Sequence, residues 1–335
     1  MNLKKLSLYF SLTSTCLAGD QVEQPASSPF RADSHAPIGV MGDHMHKRGD
    51  FMASYRYMFM RMEQNYLGTG SISDAEVGLN YMIVPEDMDM QMHMLGFMYA
   101  PTDDITLMAM VNYIEMSMNH RFGPSLANQF RTKSSGIGDS TITALIRLRE
   151  TSTSNLHAGI GLLLPTADVE ETDFIPPAGG VRRLPYPMQL GADSWGILPS
   201  LTYNGYAENW SYGAQIKGTI MLEDNSEGYR LGDRFEATTW IAKPIGEKFS
   251  ASLRASFSDW GNIDGSDPLI GGPVPTTDEN LRGGSKLDLS LGVNFYETST
   301  GVRAAAEFGK TIWQDLDGPQ LGSDYWVTLG LQYAW

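Results

Sequence analysis

The side chains with the most distinctive chemistry are thioethers and imidazoles crowded into one stretch of chain. Sixteen of the 19 methionines lie between Met41 and Met118, in ladders at Met58, Met60 and Met62, then Met88, Met90, Met92, Met94 and Met98, then Met108, Met110, Met116 and Met118. Thioether sulfur fills irregular apolar space, meets aromatic rings favourably and ligates soft ions such as Cu(I) and Ag(I). His44-Met45-His46 and His93, beside the ladders, make these four residues the metal-ligand candidates. The Met-rich stretch therefore admits three readings: apolar filler, an adaptable wall for apolar or aromatic solutes, or a soft-metal site. Hydrolytic chemistry finds no support. Among His93, His120 and His157 none stands in a nucleophile motif, and Ser117 and His120 point to opposite faces of a regular strand. No Walker loop, dinucleotide glycine fingerprint or zincin helix is present, so neither an enzyme nor a cofactor is expected.

These groups must be positioned by a chain of 335 residues with only 19% charged residues and a net charge of −15. The acidic excess disfavours binding to phosphate backbones, which depends on cationic side chains releasing counterions. Nucleic acid is not an expected partner. The single cysteine, Cys16, lies in a segment with Lys4 and Lys5, an apolar run from Leu6 to Leu12, and small residues ending at Ala18. Residues 1–18 read as a cleavable secretory signal. A lipid anchor on Cys16 is the weaker reading, because Thr13 stands where such sites carry Leu. Beyond residue 18 no run approaches the ~18 apolar residues of a spanning helix.

From Phe51 onward the hydrophobic pattern has period two. Tyr325, Val327, Leu329, Leu331, Tyr333 and Trp335 share one face of the last segment; Leu287, Leu289, Leu291, Val293 and Phe295 oppose Lys286, Asp288, Ser290, Gly292 and Asn294. A face carrying Lys, Asp and Arg suits a wet lumen better than a dry sandwich core. Twelve such segments are read, at about 51–63, 88–100, 105–118, 137–149, 154–164, 193–206, 208–222, 231–244, 247–259, 283–297, 300–312 and 323–335. Connections alternate between short and long, with long ones at 64–87, 119–136, 165–192, 223–230, 260–282 and 313–322. The expected fold is therefore all-β: an antiparallel transmembrane β-barrel of the outer-membrane type, with about 12 strands, short periplasmic turns and long extracellular loops. The expected organisation is a signal peptide at 1–18, a polar segment at 19–50 serving as tail or lumen plug, and the barrel at 51–335.

Parity places Arg56, Met108, Met110, Arg254, Lys286, Asp288 and Glu307 inward, as candidate lumen residues or an internal ion-pair lattice. The ladders give conflicting signals. Ile105, Leu107, Ala109 and Val111 put Met108 and Met110 in the lumen, whereas Asp89, Gln91 and His93 alternate with Met nearer the loops, which would turn those methionines outward unless a bulge or a strand extension above the membrane intervenes. Carboxylates gather in the long loops, mostly as turn chemistry. Trp260 and Trp313, each before an Asp-Gly turn, are expected in the interfacial aromatic girdle.

The segment Gly42-Asp43-His44-Met45-His46-Lys47-Arg48-Gly49-Asp50-Phe51-Met52, continuing Ser54-Tyr55-Arg56-Tyr57-Met58, resembles the opening of a family of outer-membrane transporters grouped with the barrel proteins of the meta-cleavage phenol-degradation pathway. Leu184-Pro185-Tyr186-Pro187-Met188-Gln189-Leu190-Gly191, Gly228-Tyr229-Arg230-Leu231-Gly232, Trp260-Gly261-Asn262-Ile263-Asp264-Gly265 and Gly318-Pro319-Gln320-Leu321 extend the resemblance over the mature chain. It implies a barrel and no catalytic residues. The expected function is passive passage of small, apolar or aromatic solutes, with soft-metal handling, and then a structural or lipid-hydrolysing barrel, as alternatives. The expected location is the outer membrane; the expected partners are the lipid bilayer and lipopolysaccharide, the assembly machinery acting on the C-terminal strand, and the solute.

Overall fold

The computed structural model describes residues 31–335 except Thr298. The expected signal segment and residues 19–30 lie outside the described residues. Eleven strands form the wall: β1 (Phe51–Gly68), β2 (Ile83–Thr102), β3 (Ile105–Phe122), β4 (Ser140–Glu150), β5 (Ser154–Leu164), β6 (Gly196–Tyr206), β7 (Ser211–Met221), β8 (Arg234–Ile245), β9 (Phe249–Trp260), β10 (Gly284–Glu297) and β11 (Val302–Ala334). Each pairs antiparallel with its neighbour in sequence, and β11 returns to β1, from Met52 opposite Ala334 to Gly68 opposite Leu316. The first part of β11 is antiparallel to β10 and the second part to β1. The chain therefore reverses inside β11, which supplies two passes and brings the number crossing the membrane to twelve. In place of the long loop expected at 313–322, strand pairing runs on through these residues.

The side chains are sorted by parity. In β10, Leu291 is 65% exposed and Val293 55%, while Lys286, Asp288, Ser290 and Asn294 between and beside them are buried. A soluble protein does the reverse. Exposed apolar side chains and enclosed polar ones fit a wall with hydrocarbon outside and a polar lumen within. Small inner residues make room for large ones: Gly213 accommodates the Trp240 ring and Gly309 the Trp326 ring. Short turns close one rim, at residues 103–104, 151–153, 207–210 and 246–248. By the outer-membrane pattern this rim is periplasmic.

The first three strands are longer than the four after them, at 18, 20 and 18 residues against 11 for each of β4 to β7. At ~3.3 Å per residue the excess adds roughly 25 Å of strand. The strand Asn128–Ile137, expected as loop, pairs with the upper half of β3 and continues this raised wall. Its Arg131, Lys133 and Ser135 read as loop residues because they are polar, yet above the lipid a strand can be polar on both sides. The β1–β2 ladder runs without a register shift from Phe51 opposite Tyr99 to Glu63 opposite Asp87. Every even position therefore keeps facing the lumen, and the upper methionines do not turn outward as the alternation with Asp89, Gln91 and His93 suggests. The outward polar residues pair above the apolar band: Arg61 binds Asp89 at 2.8 Å and Asp87 at 3.1 Å, and Asn119 donates to Asp87.

The sorting fixes the cost of a misplaced charge. Leu291→Arg on the lipid face should lower the unfolding free energy in phospholipid vesicles by roughly 2–4 kcal/mol, measured by urea titration of tryptophan fluorescence. An unchanged midpoint would mean that this face does not meet hydrocarbon.

Candidate functional site

An inner wall of Ser, Thr, Asn, Gln and Arg side chains can satisfy a segment of irregular backbone, whose N–H and C=O groups otherwise have no partners. Residues 31–50 use it. Ser250 and Arg303 donate to the Ala32 carbonyl, Ser211 to Asp33, Tyr206 to Ser34, Gln215 to Met41, His157 to Gly42 and Asn204 to Asp43. The Gly39 N–H donates to Glu307 Oε2 at 2.7 Å, and the His46 N–H to Thr106 Oγ1. Ala36 and Val40 pack on Trp240. The segment begins beside the short turn at Ala207, held by Arg31, and returns to the same rim at Asp50. Residues 31–50, the plug, thus lie against the inner wall in the periplasmic part of the lumen.

The seven lumen candidates all face inward, but they do not converge on one binding site. Arg254 Nε sits 2.7 Å from Glu307 Oε1, Ser290 donates to the same carboxylate oxygen, and the Arg254 guanidinium lies over the Trp326 ring. Lys286 and Asp288 pair at 3.2 Å, and Thr311 donates to Asp288. Arg56 reaches the Met41 sulfur in the plug. Through Gly39 and Met41, Glu307 and Arg56 fasten the plug to the wall. Met108 packs beside Met45 against Met52, Met98 and Leu145, and Met110 lines a small void with Asp43, His44 and Arg56.

The four metal-ligand candidates separate. His44 Nε2 and His46 Nε2 are 3.2 Å apart inside the plug, while Met45 belongs to the apolar cluster just named. His93 stands at an odd position of β2 and its Nδ1 meets the Tyr55 hydroxyl on the outer wall. It is not a partner of the other two, because one residue of parity places it across the wall from them. Sequence reasoning missed His35 and Asp43, which the fold of the plug brings to His44: His44 Nδ1 is 2.8 Å from Asp43 Oδ1 and His35 Nδ1 is 3.6 Å from Asp43 Oδ2. Burial pushes His46 down to about 3 and, with the Arg303 charge, holds His35 well below its ordinary value. Burial alone would raise the Asp43 carboxyl, but the His44 ring beside it keeps it below the usual range. His120 faces inward against Phe130 while Ser117 faces outward, so these two form no dyad.

The thirteen methionines of β1 to β3 share the lumen face in registered rows. Met62, Met88 and Met118 form the top row, Met60, Met90 and Met116 the next, and Met52, Met98 and Met108 the lowest. Leu184, Met188 and Leu190, from the connection between β5 and β6, pack on the upper rows. Asp139 holds that connection inward, its carboxylate accepting from the Ala167 and Ala192 N–H groups. Beside this connection lies a cavity of about 400 Å³ whose lining includes Tyr186, Leu231, Trp260, Ile263, Arg282 and Gln320. A second, of about 150 Å³, shares Trp260, Arg282 and Gln320 and reaches Met62, Met88 and Met118. Trp260 thus lines the mouth, donating to the Arg282 carbonyl, and not the outer girdle; its even position on β9 faces inward with Ser250 and Ser258. Trp313 does face outward. Arg282 Nε has no hydrogen-bond partner among the described residues, and burial pushes its guanidinium down to about 10.

Residues 82–272 match the family described as "Putative MetA-pathway of phenol degradation", more than half of the chain. The chain belongs to this family. No curated protein matches it. Among solved structures, an outer membrane channel of Pseudomonas putida F1 shares 14% identity at a TM-score of 0.61, over 88% of this chain and 98% of that one, which shows a common fold. The NanC porin (8% identity, TM-score 0.41, 85% of this chain and 98% of that one) and the KdgM porin (8%, 0.40, 84% and 98%) are more distant barrels. The family match begins at the β2 region, so the plug at 31–50 lies ahead of the matched span.

Glu307→Ala would strip Arg254 of its partner and Gly39 of its acceptor. A buried charge left alone costs roughly 3–5 kcal/mol. Limited proteolysis of the folded barrel should then cut within residues 31–50 at least tenfold faster than in the parent; equal rates would show that Glu307 does not hold the plug.

Proposed function

We propose that this outer-membrane barrel is a passive channel for small apolar or aromatic solutes, closed at rest by its plug. The observation that carries the reading is the continuous sulfur face running from the mouth cavity to the plug. Thioethers adapt to varied shapes and meet aromatic rings favourably, so such a face offers a slide without a tight site. Trp260 and Tyr186 at the mouth supply rigid rings of the kind apolar pockets use, and the unpartnered Arg282 Nε supplies one donor for a phenolate or carboxylate. The charges lower in the lumen pair with each other or with the plug, which argues against a sugar pathway lined with free polar groups. The family's association with phenol degradation agrees with an aromatic solute.

The driving force in this reading is the solute gradient, and passage needs the plug or the loop packed on the upper methionines to move. A second reading, passage of Cu(I) or Ag(I), draws on the same face, since all thirteen thioethers line one side of one lumen. The reading adds no catalysis; Ser117 and His120 are split across the wall.

Removal of residues 31–49 should raise single-channel conductance several-fold and admit phenol into liposomes faster than glucose, while Arg282→Glu should slow benzoate entry about tenfold with little effect on phenol. Equal rates for glucose and phenol through the unplugged barrel would sink the apolar-solute reading. A conductance that ignores Met60→Leu and Met90→Leu would be consistent with it, whereas loss of silver uptake in these variants alone would favour the metal reading.

A further inference from the structure

The plug contains a side-chain cluster that the channel reading does not use. His35, Asp43 and His44 place one ligand atom each within 4.8 Å of one another, and His46, outside that group, meets His44 through their Nε2 atoms. Their geometry has two parts. Asp43 Oδ1 lies 2.8 Å from His44 Nδ1, which fixes that nitrogen as the one carrying hydrogen and leaves Nε2 with a free lone pair. A carboxylate on the far nitrogen is how metal-bound imidazoles are oriented. His44 Nε2 then faces His46 Nε2 at 3.2 Å. Two nitrogens bound at ~2.0–2.1 Å to one tetrahedral ion stand roughly 3.3 Å apart. The His35 ring centroid is 3.9 Å from that of His44, and His35 Nδ1 is buried with no hydrogen-bond partner among the described residues. A small void lined in part by Asp43, His44, Arg56 and Met108 adjoins the cluster.

We propose that the Nε2 atoms of His44 and His46, with Asp43 orienting His44 and the His35 ring 3.9 Å from that of His44 as the further imidazole, form a site for one divalent ion of borderline softness, copper(II) ahead of zinc(II). Imidazole nitrogen suits these ions, and the general affinity order places copper(II) first. Soft monovalent copper is disfavoured here because Met45, the thioether in the same tripeptide, is turned into the apolar cluster of Met52, Met98 and Leu145. Arg56 and Arg303 act on Asp43 from the wall, so affinity comes from nitrogen lone pairs rather than from net negative charge. The bland alternative is a hydrogen-bonded chain from Asp43 through His44 to His46 that only stiffens the plug. The inference stands apart from the solute reading, since a barrel that carries solute need bind no ion and one that binds an ion need carry no solute.

The test is isothermal calorimetry of zinc chloride and of copper(II) sulfate, as the metal salts alone, into the full-length detergent-folded barrel. Heat-modifiable migration on gels checks the folding of each variant. The expected result is one ion per barrel, copper tighter than zinc, weakened at least tenfold in His44→Ala and in His46→Gln and unchanged in His93→Ala. Copper(II) electron paramagnetic resonance should show coupling to two or three nitrogens, fewer in His35→Gln, which keeps the proposal testable if His44→Ala fails to fold. No binding up to millimolar metal would overturn it in favour of the hydrogen-bonded chain. Binding that survives in His46→Gln would place the ions on loop carboxylates, and uptake of silver(I) without zinc(II) or copper(II), lost in Met60→Leu, would place them on the sulfur wall; either result overturns it.

Discussion

Backbone hydrogen bonding in hydrocarbon is the constraint on which the rest of this structure depends. An unpaired N–H or C=O inside the bilayer costs several kcal/mol, so a sheet can cross only if its last strand pairs with its first. Here the seam between β1 and the second pass of β11 performs that closure. Closure turns strand alternation into a partition of the whole molecule, with odd or even positions of every strand committed to lipid or to lumen. A slip of one residue in any strand would put Arg254 or Lys286 in hydrocarbon and Leu253 or Leu287 in the lumen. Register is thus enforced by the same energy that enforces closure.

Committing polar groups to the interior creates a second requirement. Twelve strands enclose a space too wide to fill with their own side chains yet narrower than an open porin bore. Residues 31–50 fill the periplasmic part and hand their backbone groups to the polar wall, while the connection between β5 and β6 leans on the methionines above, clamped by Asp139. Of the charges expected to meet solute, Arg56 and Glu307 fasten the plug, Arg254 pairs with Glu307, and Lys286 and Asp288 pair with each other. What lines the cavities at the mouth is largely aromatic and thioether surface with one buried guanidinium, which is why the site reads as apolar although its wall is full of polar residues.

The fold is legible in the sequence because lipid demands strict alternation, and Leu287 to Phe295 or Tyr325 to Trp335 show it without interruption. The upper halves of β1 to β3 are less legible. There the outer medium is no longer hydrocarbon, so Asp89, Gln91 and His93 can face out beside inward Met88 to Met94, and a rule based on lipid points the wrong way. The strand Asn128–Ile137 is hidden for the same reason. The plug is partly legible: residues 19–50 read as plug or tail, but nothing in their spacing shows that His35 and Asp43 meet His44, since an irregular segment has no period from which to place a side chain. His93 shows the converse, a residue near the others in sequence terms and across the wall from them in space. Trp260 can be placed by counting from Ser250 along β9; its neighbouring Asp-Gly turn draws attention to the wrong side.

The claim that the methionine ladders line the lumen along their whole length is tested most directly by single-cysteine scanning of positions 88–99. The sole natural cysteine, Cys16, lies in the expected signal segment. With the folded barrel in vesicles, a bilayer-soluble maleimide should label positions 95, 97 and 99 and spare 94, 96 and 98; a water-soluble one should label 89, 91 and 93 at once and reach 88, 90 and 92 only when the plug and the β5–β6 connection are removed. Rapid labelling of 88, 90 and 92 in the intact barrel, with 89, 91 and 93 protected, would contradict the account.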